Sequence, residues 1–263
     1  METALSAENP FIETRRFEQG YAWERLRELS GARGPLRVLD YGTHDGNMLR
    51  RFTASGIVSS AVGVDVNVDA LKSLTVDKDH VTLLPVVKGQ ALPFPDCSFD
   101  AITLIGVLEH VHKQEQLLDD LYRVLKHDGR LIVSVPGQHM FSFLDLGNLK
   151  FRFPRIHRWY YTRRHSEHDY VQRYIEGRNG LIGDIEVEKG WHEHFTRVGL
   201  KQLLQASGFE VTDEDGFGYF FRIIHNAHWA SPIFKRQLSD LMRRDMLAFS
   251  HAEIFVECAK SVA

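Results

Sequence analysis

The stretch Val38–Gly46, VLDYGTHDG, holds the residues whose types and spacing point most directly to chemistry. An apolar run ends in Asp40, Gly42 and Gly46 follow with three residues between them, and Met48, Leu49 and Phe52 then repeat at helical spacing. Glycines at such a strand-to-helix junction let the backbone turn tightly and let a ligand approach it with no side chain between. Asp65 closes the next apolar run, 19 residues beyond Gly46 (65 − 46). A carboxylate in that place can accept hydrogen bonds from both hydroxyls of a ribose. Loop and carboxylate together describe a nucleoside site. His44 stands where a dinucleotide fingerprint, G-x-G-x-x-G, wants its second glycine, which counts against a nicotinamide or flavin oxidoreductase.

Fourteen histidines offer general bases, because imidazole changes charge near neutral pH. Glu109-His110 follows the apolar run FDAITLI, and in a doubly wound sheet the ligand crevice lies at such strand ends. WHEHF, residues 191–195, sets His192 and His194 around Glu193. No third ligand of matching spacing accompanies them, so no metal site is expected. Phe151–His165, FRFPRIHRWYYTRRH, interleaves five arginines with five aromatics. Such a mixture suits phosphates and stacked rings, or reads as an amphipathic helix with solvated arginines and packed aromatics. His165 and His168, three apart, are expected on one face of a helix, made polar by Glu167 and Asp169.

Elements that would position these residues follow from apolar periodicity. RVLDY, IVSSAVGVD, VTLLPVV, FDAITLI and GRLIVSVP are short runs separated by helical patterns, as in a parallel sheet with crossover helices. Leu117, Leu118, Leu121, Val124 and Leu125 share a helix face, with His127-Asp128-Gly129 as its stop signal and Gly129 free to turn left-handed. After Pro136 the alternation lapses for about 55 residues, far beyond the usual connection of ~4–6 residues, and this stretch reads as an inserted cap. Within it, NGLIGDIEVEKGW reads as a loop folding over a cleft. Val198, Leu200, Leu203 and Leu204 restart a helix, Gly208 ends it, and Phe209 opens a strand. AEIFVECAK is the last strand, and Tyr219–Phe249 between them is aromatic, with helix expected after Pro232. Phe11–Leu29 reads as one or two short amphipathic helices. The expected organisation is an N-terminal helical cap over 1–34, a cofactor-binding part over 35–136, a substrate cap over 137–194 and completion of the α/β domain over 195–263.

A chain of 263 residues with 43% apolar and 25% charged residues is ordinary for a soluble globular protein. Its formal net charge of −3 argues against bulk attraction to nucleic acid. Cys97 and Cys258 lie far apart without metal-like spacing, which fits a reducing compartment. The N-terminus lacks the basic start and apolar core of a signal peptide, and no apolar run approaches the ~20 residues of a membrane span. The expected compartment is the cytoplasm.

Taken in order, VLDYGTHDG, the acidic GVD, LPFPDCSFDAITLIGVLEHV and LYRVLKHDGRLIVSVPG make the chain similar to class I S-adenosylmethionine-dependent methyltransferases. It most resembles the group that includes ubiquinone and menaquinone biosynthesis methyltransferases, over roughly 36–136 and again over 194–209. The resemblance implies an α/β, doubly wound, mostly parallel sheet of the Rossmann-like methyltransferase fold with an inserted helical cap, and S-adenosyl-L-methionine as cofactor. It implies that Asp40, Gly42 and Gly46 surround the methionine portion and that Asp65 holds the ribose. Val66 would pack on the adenine face, the Gly89-Gln90-Ala91 turn would meet its edge, and Ile105 and Gly106 would line the cofactor. Gln90 stands where the family often has an acid. His194 matches a histidine common in the family, and His194 and His110 are the expected catalytic residues. The expected activity is O-methylation of a small molecule, such as a sugar or a lipid-linked intermediate. Alternatives are a non-catalytic partner of the same fold and, on the arginine-aromatic segment alone, an RNA methyltransferase. The apolar segment GYFFRIIHNAHWASPIF is expected to close the substrate cavity or to form a homodimer contact; a membrane surface is a third use for it.

Overall fold

The structure, a computed structural model, describes residues 9, 17–44, 46–68, 71, 80–145, 148–175, 191–230 and 233–261. Each apolar run becomes a strand: β1 (Leu36–Tyr41), β2 (Val58–Asp65), β3 (Val81–Pro85), β4 (Phe99–Ile105), β5 (Leu125–Pro136), β6 (Phe209–Phe217) and β7 (Glu253–Lys260). They form one seven-stranded sheet in the order β3-β2-β1-β4-β5-β7-β6. β7 runs antiparallel to both its neighbours, whereas the pairings among β1 to β5 are all parallel.

Side chains alternate across the sheet, so each strand feeds two cores. Val38 of β1 and Ile132 of β5 join Tyr21, Trp23 and Leu26 of α1 (Phe17–Arg33) and Leu49 and Phe52 of α2 (Asn47–Ala54). On the opposite face, Leu39, Leu131 and Val133 pack with Leu118 and Leu121 of α3 (Gln114–Val124). Leu200 and Leu204 of α7 (Arg197–Ala206) complete that layer. Helices on both faces of a mostly parallel sheet make a doubly wound domain.

The insert after β5 contains α4 (Leu149–Arg152), α5 (Pro154–Thr162) and α6 (Glu167–Tyr174). It is stitched to the sheet at its base. Phe195 N donates to Pro136 O, Gln138 N to Phe195 O and Gly137 N to Ala252 O, at 2.9, 2.7 and 2.9 Å. Only glycine fits at position 137, because a Cβ there would lie 2.1 Å from the His251 carbonyl oxygen. The chain then re-enters through α7, capped by the Thr196 hydroxyl on Gly199 N and ended at Gly208 with φ +82°. Two further helices, α8 (Phe221–Ala230) and α9 (Lys235–Ala248), fill the segment between β6 and β7.

Four local expectations change. α3 stops at Val124, because Leu125 turns extended and pairs with Phe99 of β4. Gly129 is not left-handed; its missing Cβ instead makes room for Leu125 Cδ1, which would stand 2.6 Å away. Helix forms before residue 232 as well as after it, since α8 buries Ile224 against the same core as Met242 and Met246 of α9. His165 and His168 do not share a helix face, because Ser166 caps α6: its hydroxyl accepts from Asp169 N, and Ser166 N donates to the Asp169 carboxylate, which leaves His165 outside the helix. Among the described residues the N-terminal segment forms one helix, α1; residues 11–16, and residues 179–190 of the expected cleft loop, lie outside the described residues.

Candidate active site

Strand order reverses between β1 and β4, whose C-terminal ends open the crevice of a doubly wound sheet. The loop leaving β1 is built for close approach. Gly42 adopts φ +83° and Gly46 adopts φ +59° at the start of α2, both left-handed. A Cβ on Gly42 would strike Val107 Cγ2 at 2.3 Å, so glycine lets the loops after β1 and β4 touch. Gly42 N and Thr43 N both donate to Val64 O, at 2.8 and 3.1 Å.

Asp65 is held at the end of β2 by two backbone amides. His44 N donates to Oδ2 and Asn67 N to Oδ1, each at 2.8 Å. Each carboxylate oxygen keeps a second lone pair for an incoming hydroxyl. Asp40 behaves differently. It is buried, and its Oδ1 accepts the Thr103 hydroxyl of β4 at 2.7 Å, which ties β1 to β4 beneath the loop. Val66 stands exposed beside Asp65. Gly89, Gln90 and Ala91 form the exposed turn after β3, where Gln90 N donates to Val87 O and Gln116 of α3 donates to Gly89 O. Ile105 ends β4 half-buried, and Gly106 follows at φ +64°. Every expected cofactor residue therefore sits at, or just beyond, the same C-terminal edge of the sheet. S-adenosylmethionine fits this edge on two grounds. The side-chain-free positions cluster there, and the buried Thr43 hydroxyl in the loop has no hydrogen-bond partner among the described residues.

A second constellation begins one residue pair further on. Leu108–His110 forms a single tight turn after β4, and a Cβ on Gly106 would sit 3.6 Å from Glu109 Oε1. His110 Nε2 lies 3.7 Å from that oxygen, and His192 Nε2 approaches it from the cap at 3.9 Å. The His110 and His192 rings are 5.0 Å apart. His192 Nδ1 hydrogen-bonds Asp145 Oδ2, His194 Nε2 lies 3.1 Å from the same oxygen, and Arg222 of α8 reaches Oδ1 at 3.1 Å. Burial pushes the Asp145 carboxyl up, but the two histidines and the Arg222 guanidinium outweigh it and hold Asp145 well below the ordinary carboxylate range. Glu253 of β7 moves the other way. Burial, followed by the charge of Glu109, raises its carboxyl well above the ordinary value.

Sequence reading brings His110 and His194 to this place, and the structure puts them in one cluster through His192. Asp145, Arg222 and Glu253 were missed. They lie in three separate segments, and no spacing in the chain links them to WHEHF. The Asn148 side-chain amide holds the backbone of that segment: Asn148 Nδ2 donates to His192 O and His192 N donates to Asn148 Oδ1, both at 2.9 Å. Gln114 Nε2 of α3 donates to Glu193 Oε2 at 2.7 Å. Beside the cluster stands an aromatic wall, with Phe141 5.5 Å from both Tyr219 and Phe220, and His139 5.6 Å from Tyr219. Burial lowers the His139 imidazole below its ordinary value despite the Gly137 carbonyl beside it.

The fold and this edge define a Rossmann-like nucleoside-dependent transferase. Residues 14–214 match the family model described as a methyltransferase domain, which covers most of the chain, and the chain belongs to that family. A ubiquinone/menaquinone biosynthesis C-methyltransferase from Stutzerimonas stutzeri is 36% identical over 130 residues, covering 46% of this chain and 51% of the relative. The chain thus spans about half the length of the curated relatives it matches. Among solved structures, the YcgJ protein of Bacillus subtilis superposes with a TM-score of 0.56 at 18% identity, over 95% of this chain and all of that one. A 1,6-didemethyltoxoflavin-N1-methyltransferase from Burkholderia thailandensis, bound to S-adenosylhomocysteine, gives 0.51 at 15% identity over 95% and 81%. The fold is that of class I S-adenosylmethionine-dependent methyltransferases.

Proposed function

We propose that this chain transfers a methyl group from S-adenosylmethionine to a hydroxyl oxygen on a small aromatic or enolic acceptor. The observation that carries the reading is adjacency. The glycine-lined cofactor edge passes through Gly106 directly into the Glu109–His110–His192–Asp145–His194 cluster, walled by Phe141, Tyr219 and Phe220. Bound S-adenosylmethionine supplies an activated sulfonium methyl, so the protein's own work is alignment and proton removal. Asp65 would accept the ribose hydroxyls, while Gly42 and Gly46 leave room for the methionine portion. His194 with Nε2 toward Asp145 presents Nδ1 as the basic nitrogen, and an ionised Asp145 stabilises the imidazolium formed when a hydroxyl proton arrives. The aromatic wall favours a planar acceptor and excludes water from the transfer.

A second reading puts the methyl on carbon. It is favoured by the activity for which the C-methyltransferase relatives are named. The same base serves both, because removing a phenolic or enolic proton enriches the oxygen and the adjacent ring carbon alike. Incubating the protein with methyl-labelled S-adenosylmethionine and a panel of phenols and enols, then locating the label by NMR, separates them. Label on oxygen supports the first reading, and label on carbon replaces it with the second. Cofactor binding without transfer to any panel member moves the chain towards a non-catalytic role.

A further inference from the structure

We propose that Glu109, His110 and His192 bind one divalent transition-metal cation of the zinc class, with Asp145 as the carboxylate that orients His192. The proposal rests on the reading of this cleft as the acceptor site and gives it a substrate class: acceptors that offer an oxygen ligand, such as vicinal hydroxyls or a hydroxyl beside a carbonyl.

The geometry is that of a three-ligand site. A tetrahedral ion bound at ~2.0–2.1 Å separates its ligand atoms by roughly 3.4 Å. Glu109 Oε1 lies 3.7 Å from His110 Nε2 and 3.9 Å from His192 Nε2, and all three ligand atoms fall within 4.8 Å of one another. Closing on an ion shortens the two Glu109 distances by a few tenths of an ångström and draws the two imidazoles together from within 4.8 Å, by side chains on a turn and a cap loop. A second trio, Asp145, His192 and His194, also meets the distance criterion. The hydrogen bond that Asp145 accepts from His192 Nδ1 argues that it supports the first trio. A histidine that gives Nδ1–H to a carboxylate turns its Nε2 lone pair outward, and this carboxylate–histidine pairing is how metal-ligating imidazoles are oriented. Arg222 Nη1 and His194 in turn hold Asp145, at 3.1 Å each.

Charge argues the same way. Glu109 and Asp145 both act electrostatically on Glu253, and the Arg222 guanidinium acts on Glu253 and on Asp145. A cation between Glu109 and the imidazoles would balance that group. Two imidazoles and one carboxylate suit zinc, manganese or iron better than magnesium, and three protein ligands leave a position open for an acceptor oxygen.

The untagged 263-residue chain, stripped with chelator and dialysed, would be titrated calorimetrically with ZnCl2 and separately with MnCl2, without acceptor. One saturable site per chain is expected. His192→Ala and Glu109→Gln should each weaken it at least tenfold, and Asp145→Asn by about 10–100-fold, the usual loss when an outer partner is removed. His194→Ala should change it less than threefold, which separates this ligand set from the Asp145, His192, His194 trio. His168→Ala, on exposed α6, controls for surface histidines. Circular dichroism melts and S-adenosylhomocysteine affinity, read on every variant, show that the fold and cofactor edge persist. Wild type without a saturable site, or a site that ignores both His192→Ala and Glu109→Gln in folded protein, overturns the proposal. S-adenosylhomocysteine affinity reports separately on the methyltransferase reading, so the two can fail independently.

Discussion

At the scale of single residues, the proposed mechanism gives binding to Asp65 and chemistry to His194. Asp65 is pre-set by His44 N and Asn67 N, so its oxygens need no reorganisation when ribose arrives. Asp65→Ala should weaken S-adenosylhomocysteine binding by ~1.5–3 kcal/mol, the scale of hydrogen bonds to charged groups. Calorimetric affinity matching wild type would remove Asp65 from the cofactor site. His194 touches Asp145, and no described contact joins it to the glycine loop. His194→Ala should therefore lower kcat by roughly 10²–10⁴-fold, the range of general-base contributions, and leave cofactor affinity unchanged. A loss confined to KM would assign His194 to acceptor positioning instead. Asp40 shows how a motif residue can serve the frame: its Thr103 bond makes it a fastener between strands.

Among the elements, the start of β4 shows how one side chain aligns three strands. Asp100 accepts from Arg37 N of β1 at 2.9 Å and from Lys126 Nζ of β5 at 2.6 Å. Burial raises its carboxyl, but the Lys126 and Arg37 bonds prevail and the net shift is downward. A lowered carboxyl stabilises the fold fully above the ordinary carboxylate pKa of ~4 and loses that contribution as pH falls through its lower folded value. Asp100→Asn should thus cost about 1 kcal/mol at neutral pH, discounted for solvent screening, and nothing at sufficiently acid pH. Denaturant melts at pH 7 and in acid check this, and an equal gap at both would disprove the linkage. The insert behaves as a lever on the same sheet. Its base is fixed by the Pro136–Phe195 and Gly137–Ala252 bonds, and this fixes where Asp145 and His192 emerge.

For the molecule as a whole, stability and function share one core. Phe52 is fully buried under the sheet on the helix that starts at the glycine loop. Phe52→Ala should cost ~3–5 kcal/mol, and Tm should fall by ~2–4 °C for each kcal/mol in a chain of this size. Calorimetry would measure the fall; a loss below ~1 kcal/mol would show that α2 collapses onto the void with little penalty. No described helix is long and apolar enough to cross a membrane.

Chain order alone was enough to read the strands, the glycine loop, Asp65 and the helix α7, because each depends on residues close together. Short apolar runs, glycines at a strand-to-helix junction and apolar residues at helical spacing declare themselves within a few positions. The end of α3 was misread because Leu125 could extend the helix face or pair with Phe99, and only the neighbouring strand decides. Asp145, Arg222 and Glu253 come from an insert, a late helix and the last strand, and nothing local marks them as companions of Glu109 and His192. The packing of the insert onto the sheet edge creates that company, since burying charges together is tolerable only where opposite charges and imidazoles converge.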